Sequence, residues 1–489
     1  MSQYYWVLWV KVFAVAFIIA LLLSTLAVAV HFGTVYASTD VGGIISSNAI
    51  WTKANSPYNL LGPTLVSSGV TLTIEAGATV NLNTYYLQVN GTLNAIGTST
   101  NPIYLNSSAV NAGRIEFTAS STSWNEQSGS GCIIENAVID QTVISITNCS
   151  VKIDRNTFND GADMMSQNVA IYTKGGGGAS SISNNKFNSC GLEISDNSTI
   201  SNNVIEGGIG LYGGTPLISD NTISGGSSYF FIGRSYDRDY NTVVIDCSAT
   251  LTDNSINGSI ILNQYRTTSA LITGNTIRGL IHDGEGSVDV VISNNKCGGI
   301  SLNRANSATI NNNLITNSDT GLEIGNATVT DNTIAFCKTA ISVNATGSPT
   351  ISGNNIQNSS EYNLKLSGAL NVDASNNWWG TTDTQAISQS IYDSKYDFNL
   401  GTVNFVPFLT EPNPEAPEAS YVPTTTPSPT STPSVSPSPT ASPEQEPSPT
   451  PSQEPMLTPE QLEIIVGVII AAAVIGAGLG LLIYLIRRK

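Results

Sequence analysis

The sequence predicts an all-β chain wound as a parallel β-helix, and three observations carry that prediction. A hexad, apolar-Ser/Thr/Asp/Asn-x-Asn-x-apolar, recurs with its fixed amide at Asn156, Asn185, Asn203, Asn221, Asn254, Asn275, Asn295, Asn313, Asn332 and Asn354. ISNNVI at 200–205, for example, returns as ISDNTI at 218–223. Most intervals lie near 20 residues, and a fixed period of that length marks a solenoid. Within a unit the apolar residues alternate, as in GLEISDNSTI at 191–200, which is the period of a strand. Gly, Asn and Ser break the chain too often for helices. One coil cannot bury its inner face alone, so coils stack at about 4.8 Å into a continuous core.

Four segments follow in order. Residues 1–37 read as a signal peptide or N-terminal anchor. An apolar run at 12–30 follows Lys11, and Val35 and Ala37 supply the small-residue pattern for cleavage before Ser38. Residues 38–410 are the β-helix. Residues 411–460 hold fifteen of the chain's 21 prolines among Ser, Thr and Glu, a composition that builds no core and favours extended polyproline II. Residues 461–489 contain Ile464 to Ile486, 23 residues without a charge, which is enough to span a bilayer. Arg487, Arg488 and Lys489 follow at once, so the positive-inside rule puts the C-terminus in the cytoplasm and the β-helix outside, on a single-pass membrane protein.

Charge and modification signals fit that placement. All 36 acidic residues lie between Asp40 and Glu463, against 15 Lys and Arg, a net charge of −21 over that span. Such a surface excludes nucleic acid as a partner, because a phosphate backbone requires basic contacts. Eight Asn-x-Ser/Thr sequons, at Asn90, Asn106, Asn148, Asn197, Asn257, Asn326, Asn344 and Asn358, are candidates for glycosylation.

The recurring asparagine is read as structural. It is placed at a bend between strands, where Asn tolerates left-handed backbone, and stacking aligns the amides in a ladder. The cysteines follow the same phase. Cys190 and Cys337 occupy equivalent places but stand about seven coils, roughly 34 Å, apart, far beyond disulfide reach. Most are therefore expected as buried thiols, with Cys132 and Cys149 the one pair left open.

Sequences flanking the hexads carry a resemblance. GVTLTIEAGATVNL (69–82) with YLQVNGTLNAIGTSTNPIYL (86–105), and NNWWGTTDTQAISQSIYDSKYDFNLGTVNFVPF (376–408), look like the start and finish of a known class. They resemble the right-handed parallel β-helix surface proteins common in archaea and some bacteria, relatives of the pectin-lyase-like and NosD-like repeat families. The resemblance covers about residues 44 to 408 and implies a right-handed helix whose last coil is covered by Trp378 and Trp379. It does not settle function, since the fold hosts lyases, hydrolases, adhesins and stalks. Glycoside hydrolases of this fold resemble one another in clustered aspartates with a Gly-His; here there is no Asp-Asp pair and no Gly-His. Paired carboxylates are what glycosidic cleavage needs. No His, Cys or Met cluster points to a metal, and no cofactor is implied.

One region departs from the repeat. FFIGRSYDRDYNT (230–242), LNQYRTTS (262–269), IHDGEG (281–286) and LNRANS (302–307) are each expected just after a second strand, and so along one edge. Arg234, Tyr236, Asp237, Arg238, Tyr265, Arg266, His282, Asp283 and Arg304 are the candidate ligand-binding residues, suited to acidic or hydroxyl-rich sugars through paired hydrogen bonds and ring stacking. The competing reading is a solvated loop whose arginines pair with Asp237, Asp239 and Asp283. The expected function is a membrane-anchored cell-surface protein that binds glycans or neighbouring surface-layer components, with no catalytic residue assigned. The alternatives are a polysaccharide lyase or glycoside hydrolase with a nonstandard site, and a purely structural stalk.

Overall fold

The computed structural model describes residues 38–108, 113–163, 168–225, 241–262, 268–284, 288–345 and 347–419, with residues 9, 13, 14 and 16–20 nearer the N-terminus. Residues 16–20 are helical and exposed, and among the described residues no helix is long and apolar enough to cross a membrane. The apolar run at 464–486 lies outside the described residues.

From Thr39 to Asn404 the chain winds as a parallel β-solenoid. A typical coil supplies three short strands, such as Thr199–Ser201, Val204–Ile205 and Ile209–Leu211. These positions are rows 1, 2 and 3. Row 1 forms a sheet of sixteen strands, while rows 2 and 3 share a sheet of 28. Register is kept from coil to coil: Ile200 pairs with Ile182 and Ile218, and Ile205 with Phe187 and Ile223. Like therefore stacks on like, and these side chains are fully buried. β-branched residues suit that role because their side chains pack well on a pleated surface.

The hexad asparagines form the expected ladder. Asn203 Nδ2 donates to Asn221 Oδ1, to the Ile182 carbonyl of the preceding coil and to the Ser201 carbonyl, each at 2.9 Å. Its backbone N–H also reaches Asn221 Oδ1, at 2.9 Å. The Oδ1 of Asn203 accepts the same pair of bonds from Asn185. The pattern runs unbroken from Asn156 to Asn354 and gains one further rung, Asn377. At the other end the Ala137 N–H caps Asn156 Oδ1 at 2.8 Å.

The bend itself is made differently from the sequence-based expectation. The left-handed residue is the one before each rung: Arg155, Asn184, Asn202, Asp220, Asp253, Gly274, Asn294, Asn312, Asp331, Gly353 and Asn376 all have φ between 54° and 72°. The rung must turn its amide into the interior, so its neighbour takes the bend. Asn, Asp and Gly adopt that backbone at least cost.

The C-terminal cap also corrects an expectation. Trp379 is buried, with its ring edge-on to Phe405 at 6.5 Å. Trp378 faces outward, where its Nε1 donates to Gln357 Oε1 at 3.2 Å. Successive residues of an extended chain point to opposite faces, so only one of two adjacent tryptophans can cover the core. A short helix, Thr384–Gln389, follows, capped by Asp383 Oδ1 accepting from the N–H groups of Gln385 and Ala386.

Residues 411–419, assigned by composition to the linker, are held on the solenoid instead. Asn355 reads the backbone of Asn413 with both ends of its amide: Oδ1 accepts from the Asn413 N–H at 2.7 Å and Nδ2 donates to its carbonyl at 3.1 Å. Asn413 Nδ2 donates in turn to Asp331 Oδ1 at 2.9 Å and to the Gly353 carbonyl at 2.6 Å. Thr333 Oγ1 donates to the Pro417 carbonyl. The segment thus straps back across coils already laid down.

The ladder makes a direct prediction. Asn295→Leu strands amide partners in two neighbouring coils, and the loss should be about 1–3 kcal/mol or somewhat more. Thermal unfolding of the variant, with its β-rich circular dichroism unchanged, measures it. An unaltered melting temperature would show that the ladder carries no stability.

Candidate functional site

Most coils present row 3 with one face in and one face out. Gly191–Ile194 and Thr320–Ile324 follow that rule, with Glu193 half-buried and Glu323 exposed between buried neighbours. Three consecutive coils break it. In Ile209–Leu211, Val243–Ile245 and Ile260–Leu262 every residue is buried. Register shows which members face outward: Glu193, Gly210, Val244, Ile261, His282, Ser301 and Glu323 form one outer column. Val244 is nevertheless 0% exposed and Ile261 6%. A strand apolar on both faces is a strand covered on both faces.

Tyr212 supplies part of that cover. A Cβ at Gly210 would stand 2.5 Å from the Tyr212 ring, so the ring lies against the bare backbone there. Burial pushes the Tyr212 phenol up, and the nearby charges of Glu193 and Asp246 push it the same way. Burial likewise raises the Glu193 carboxyl.

Further along, the turn after row 3 is tied across coils. The Arg304 N–H donates to Asp283 Oδ2 at 2.5 Å, and Arg304 Nη1 donates to the Gly284 carbonyl at 3.0 Å. Burial raises the Asp283 carboxyl, while the backbone donors and charge of Arg304 hold it down. Beside it Ser301 Oγ donates to Glu323 Oε2 at 2.9 Å, and Asn344 Nδ2 donates to the Asn303 carbonyl at 3.0 Å. His282 lies half-buried in the outer column between Ile261 and Ser301. From Glu193 to Arg304 the patch spans six coils, five intervals of about 4.8 Å or roughly 24 Å in all.

The structure therefore brings together His282, Asp283 and Arg304. Arg234, Tyr236, Asp237, Arg238, Tyr265 and Arg266 lie outside the described residues. Their points of attachment still correct the single-edge expectation. The segment 226–240 leaves after Thr222–Ser224 and rejoins at Asn241–Ile245, so it precedes row 3 rather than following it. The segments at 263–267 and 285–287 and the turn at 303–306 do follow row 3. Arg278 also stands away from Arg304, with Nη1 donating to Asn257 Oδ1 at 3.2 Å. Glu193 and Tyr212 were missed from sequence, although the unbroken apolar triplets VVI and IIL in place of alternation marked the covered strands.

Among the described residues no group of three or more His, Cys, Asp or Glu could hold a metal ion. All six cysteines are free and buried, Cys132 and Cys149 included. Burial pushes the Cys132 thiol up to about 11 and those of Cys149, Cys190, Cys247 and Cys297 to about 12. Thiols so far from ionisation are poor nucleophiles and poor metal ligands.

Comparison with known families agrees with the geometry: the family described as "Right handed beta helix region" matches residues 278–390. The chain is a right-handed β-helix repeat protein. No curated protein and no solved structure matches it. Within this β-helix the matched coils include His282, Asp283 and Arg304, while Glu193 and Tyr212 lie before them.

The Glu193 carboxyl gives a pH prediction. Its folded value lies above the ordinary glutamate value of about 4.3, so the folded state holds the proton more tightly than the unfolded chain. Stability from this group is fully present below that ordinary value and is lost as pH rises through the raised one. Glu193→Gln should match or exceed the parent's melting temperature at pH 7 and lose that advantage on acidification. Parallel melting curves across the range would exclude a buried carboxyl there.

Proposed function

We propose that this β-helix is displayed at the cell surface on a membrane tether and binds extended glycans or surface-layer components without turning them over. The observation that carries the reading is the covered outer face from Glu193 to Arg304. Departures from the repeat gather around that face, whereas the ladder bend stays uniform from Asn156 to Asn377. Irregular segments on a rigid scaffold are where binding function concentrates. The tether reading is supported by the exposed apolar side chains of Phe17, Ile18 and Ile19, the proline tract, and the uncharged run that ends in Arg487, Arg488 and Lys489.

An acidic polysaccharide crossing the turns beside the covered column would meet Arg304 and His282, with Arg234, Arg238 and Arg266 as further cations and Tyr236 and Tyr265 as stacking surfaces. Asp237 and Asp283 would orient them. Each exposed arginine is worth no more than about 1 kcal/mol and weakens with salt, so useful affinity requires several acting together. The raised carboxyl of Glu193 beside Tyr212 favours the second reading, a lyase or hydrolase with a nonstandard general acid.

A soluble form comprising residues 38–419, tested on a glycan array beside a reducing-sugar release assay, separates the readings. Binding to acidic glycans without product is expected. Arg304→Ala should weaken it severalfold, and replacing Arg234, Arg238, Arg266 and Arg304 together should abolish it with melting nearly unchanged. Released product would establish the enzyme, and neither binding nor product would leave the stalk.

A further inference from the structure

We propose that Asn358 carries an N-linked glycan whose first sugar sits in a cleft at the corner between rows 2 and 3. This inference rests on the extracellular placement proposed above. In three consecutive coils the residue leaving row 2 is left-handed: Asn317 (φ 62°), Phe336 (φ 58°) and Asn358 (φ 57°). They stand one above another, because the preceding residues Thr316, Ala335 and Gln357 pair in register. Asn adopts this backbone readily and Phe does not, so the aromatic ring is placed here against local preference.

At this corner opens a cleft of about 710 Å³, within the range of roughly 300–1,000 Å³ typical of small-molecule sites. Asn317, Asp319, Phe336, Lys338, Asn358 and Ser360 line it. The set suits a pyranose. Phe336 offers an aromatic surface to the C–H face of a sugar ring. The Asp319–Lys338 pair, 2.7 Å apart, and the Ser360 hydroxyl offer acceptors and donors to its hydroxyls.

Asn358-Ser359-Ser360 is a sequon whose asparagine lies at the cleft. Asn358 is exposed, and among the described residues its side-chain amide has no hydrogen-bond partner. Three other sequons have committed their amide nitrogen. Asn106 donates to Asn81 Oδ1 at 3.3 Å, Asn197 to the Gly176 carbonyl at 3.3 Å and Asn344 to the Asn303 carbonyl at 3.0 Å. Asn90 is half-buried, while Asn148, Asn257 and Asn326 are exposed but line no part of this cleft. Transfer from a sugar carried on a lipid pyrophosphate forms the Nδ2–C1 bond and breaks the C1–O bond to the pyrophosphate. Nδ2 gives up one proton, and nothing is oxidised or reduced.

The test uses the full chain purified from its native host. Trypsin cleavage after Lys338 and Lys365 yields one peptide holding both Asn344 and Asn358. Fragmentation that retains the sugar is expected to place a glycan on Asn358 and none on Asn344. An unmodified Asn358 overturns the proposal: if other sequons are occupied the extracellular reading stands, and if none is, that reading loses this support as well. Phe336→Asn, which keeps the left-handed backbone and removes the ring, tests the seat. The glycosylated parent should melt higher than the same chain from a host without N-glycosylation, and the variant should show no such difference. An equal difference in both would overturn the seat on Phe336.

Discussion

The structure depends on one interaction, the amide-to-amide hydrogen bond between asparagines of neighbouring coils. Each rung offers two amide hydrogens and one carbonyl oxygen to the interior of a bend that buries backbone groups from two coils. A buried polar group left unpaired costs more than a formed bond returns, so the ladder acts by leaving nothing unsatisfied. It also fixes register: a slip by one residue would turn every rung outward and every inward isoleucine to solvent. Eleven rungs from Asn156 to Asn377 therefore define where each coil begins.

That uniformity explains where function is sought. A solenoid whose inner stacks and bend are dictated by repetition is free to vary only in its turns and outer columns. Here the variation gathers on one side. Val244 and Ile261 are buried, and Glu193 and Tyr212 half-buried, although they face away from the core, and the tied turn of Asp283 and Arg304 continues the same face. In the row 1 sheet, by contrast, Ser181–Ser183, Thr199–Ser201 and Thr350–Ser352 each keep one inward isoleucine between partly or fully exposed hydroxyl residues.

Much of the fold was legible in the sequence because periodicity is a global signal. The ladder, the buried thiols and the stacked isoleucines all follow from phase alone. What phase does not encode was harder to read. Which of two adjacent residues bends, as between Asn202 and Asn203, depends on which amide the interior needs. Which of Trp378 and Trp379 turns inward depends on pleat. The segment at 226–240 departs after Thr222–Ser224 and ahead of row 3, and a strand of three residues carries too little alternation to show which row it belongs to. Glu193 and Tyr212 gave no motif, since their significance comes from neighbours in the adjacent coils.

The strap has a consequence for how the stack opens. In a one-dimensional array the final unit has a neighbour on one side only, and fraying starts there. Asn413 and Pro417, bound to Asp331, Thr333, Gly353 and Asn355, give the last coils a second set of neighbours drawn from more than 50 residues further along the chain. The terminus is thereby closed into a loop, and the coils within it must open together or not at all. A repeat protein that would otherwise unzip from its end is tied back by Asn413 and Pro417, in a stretch whose composition gives no hint of order.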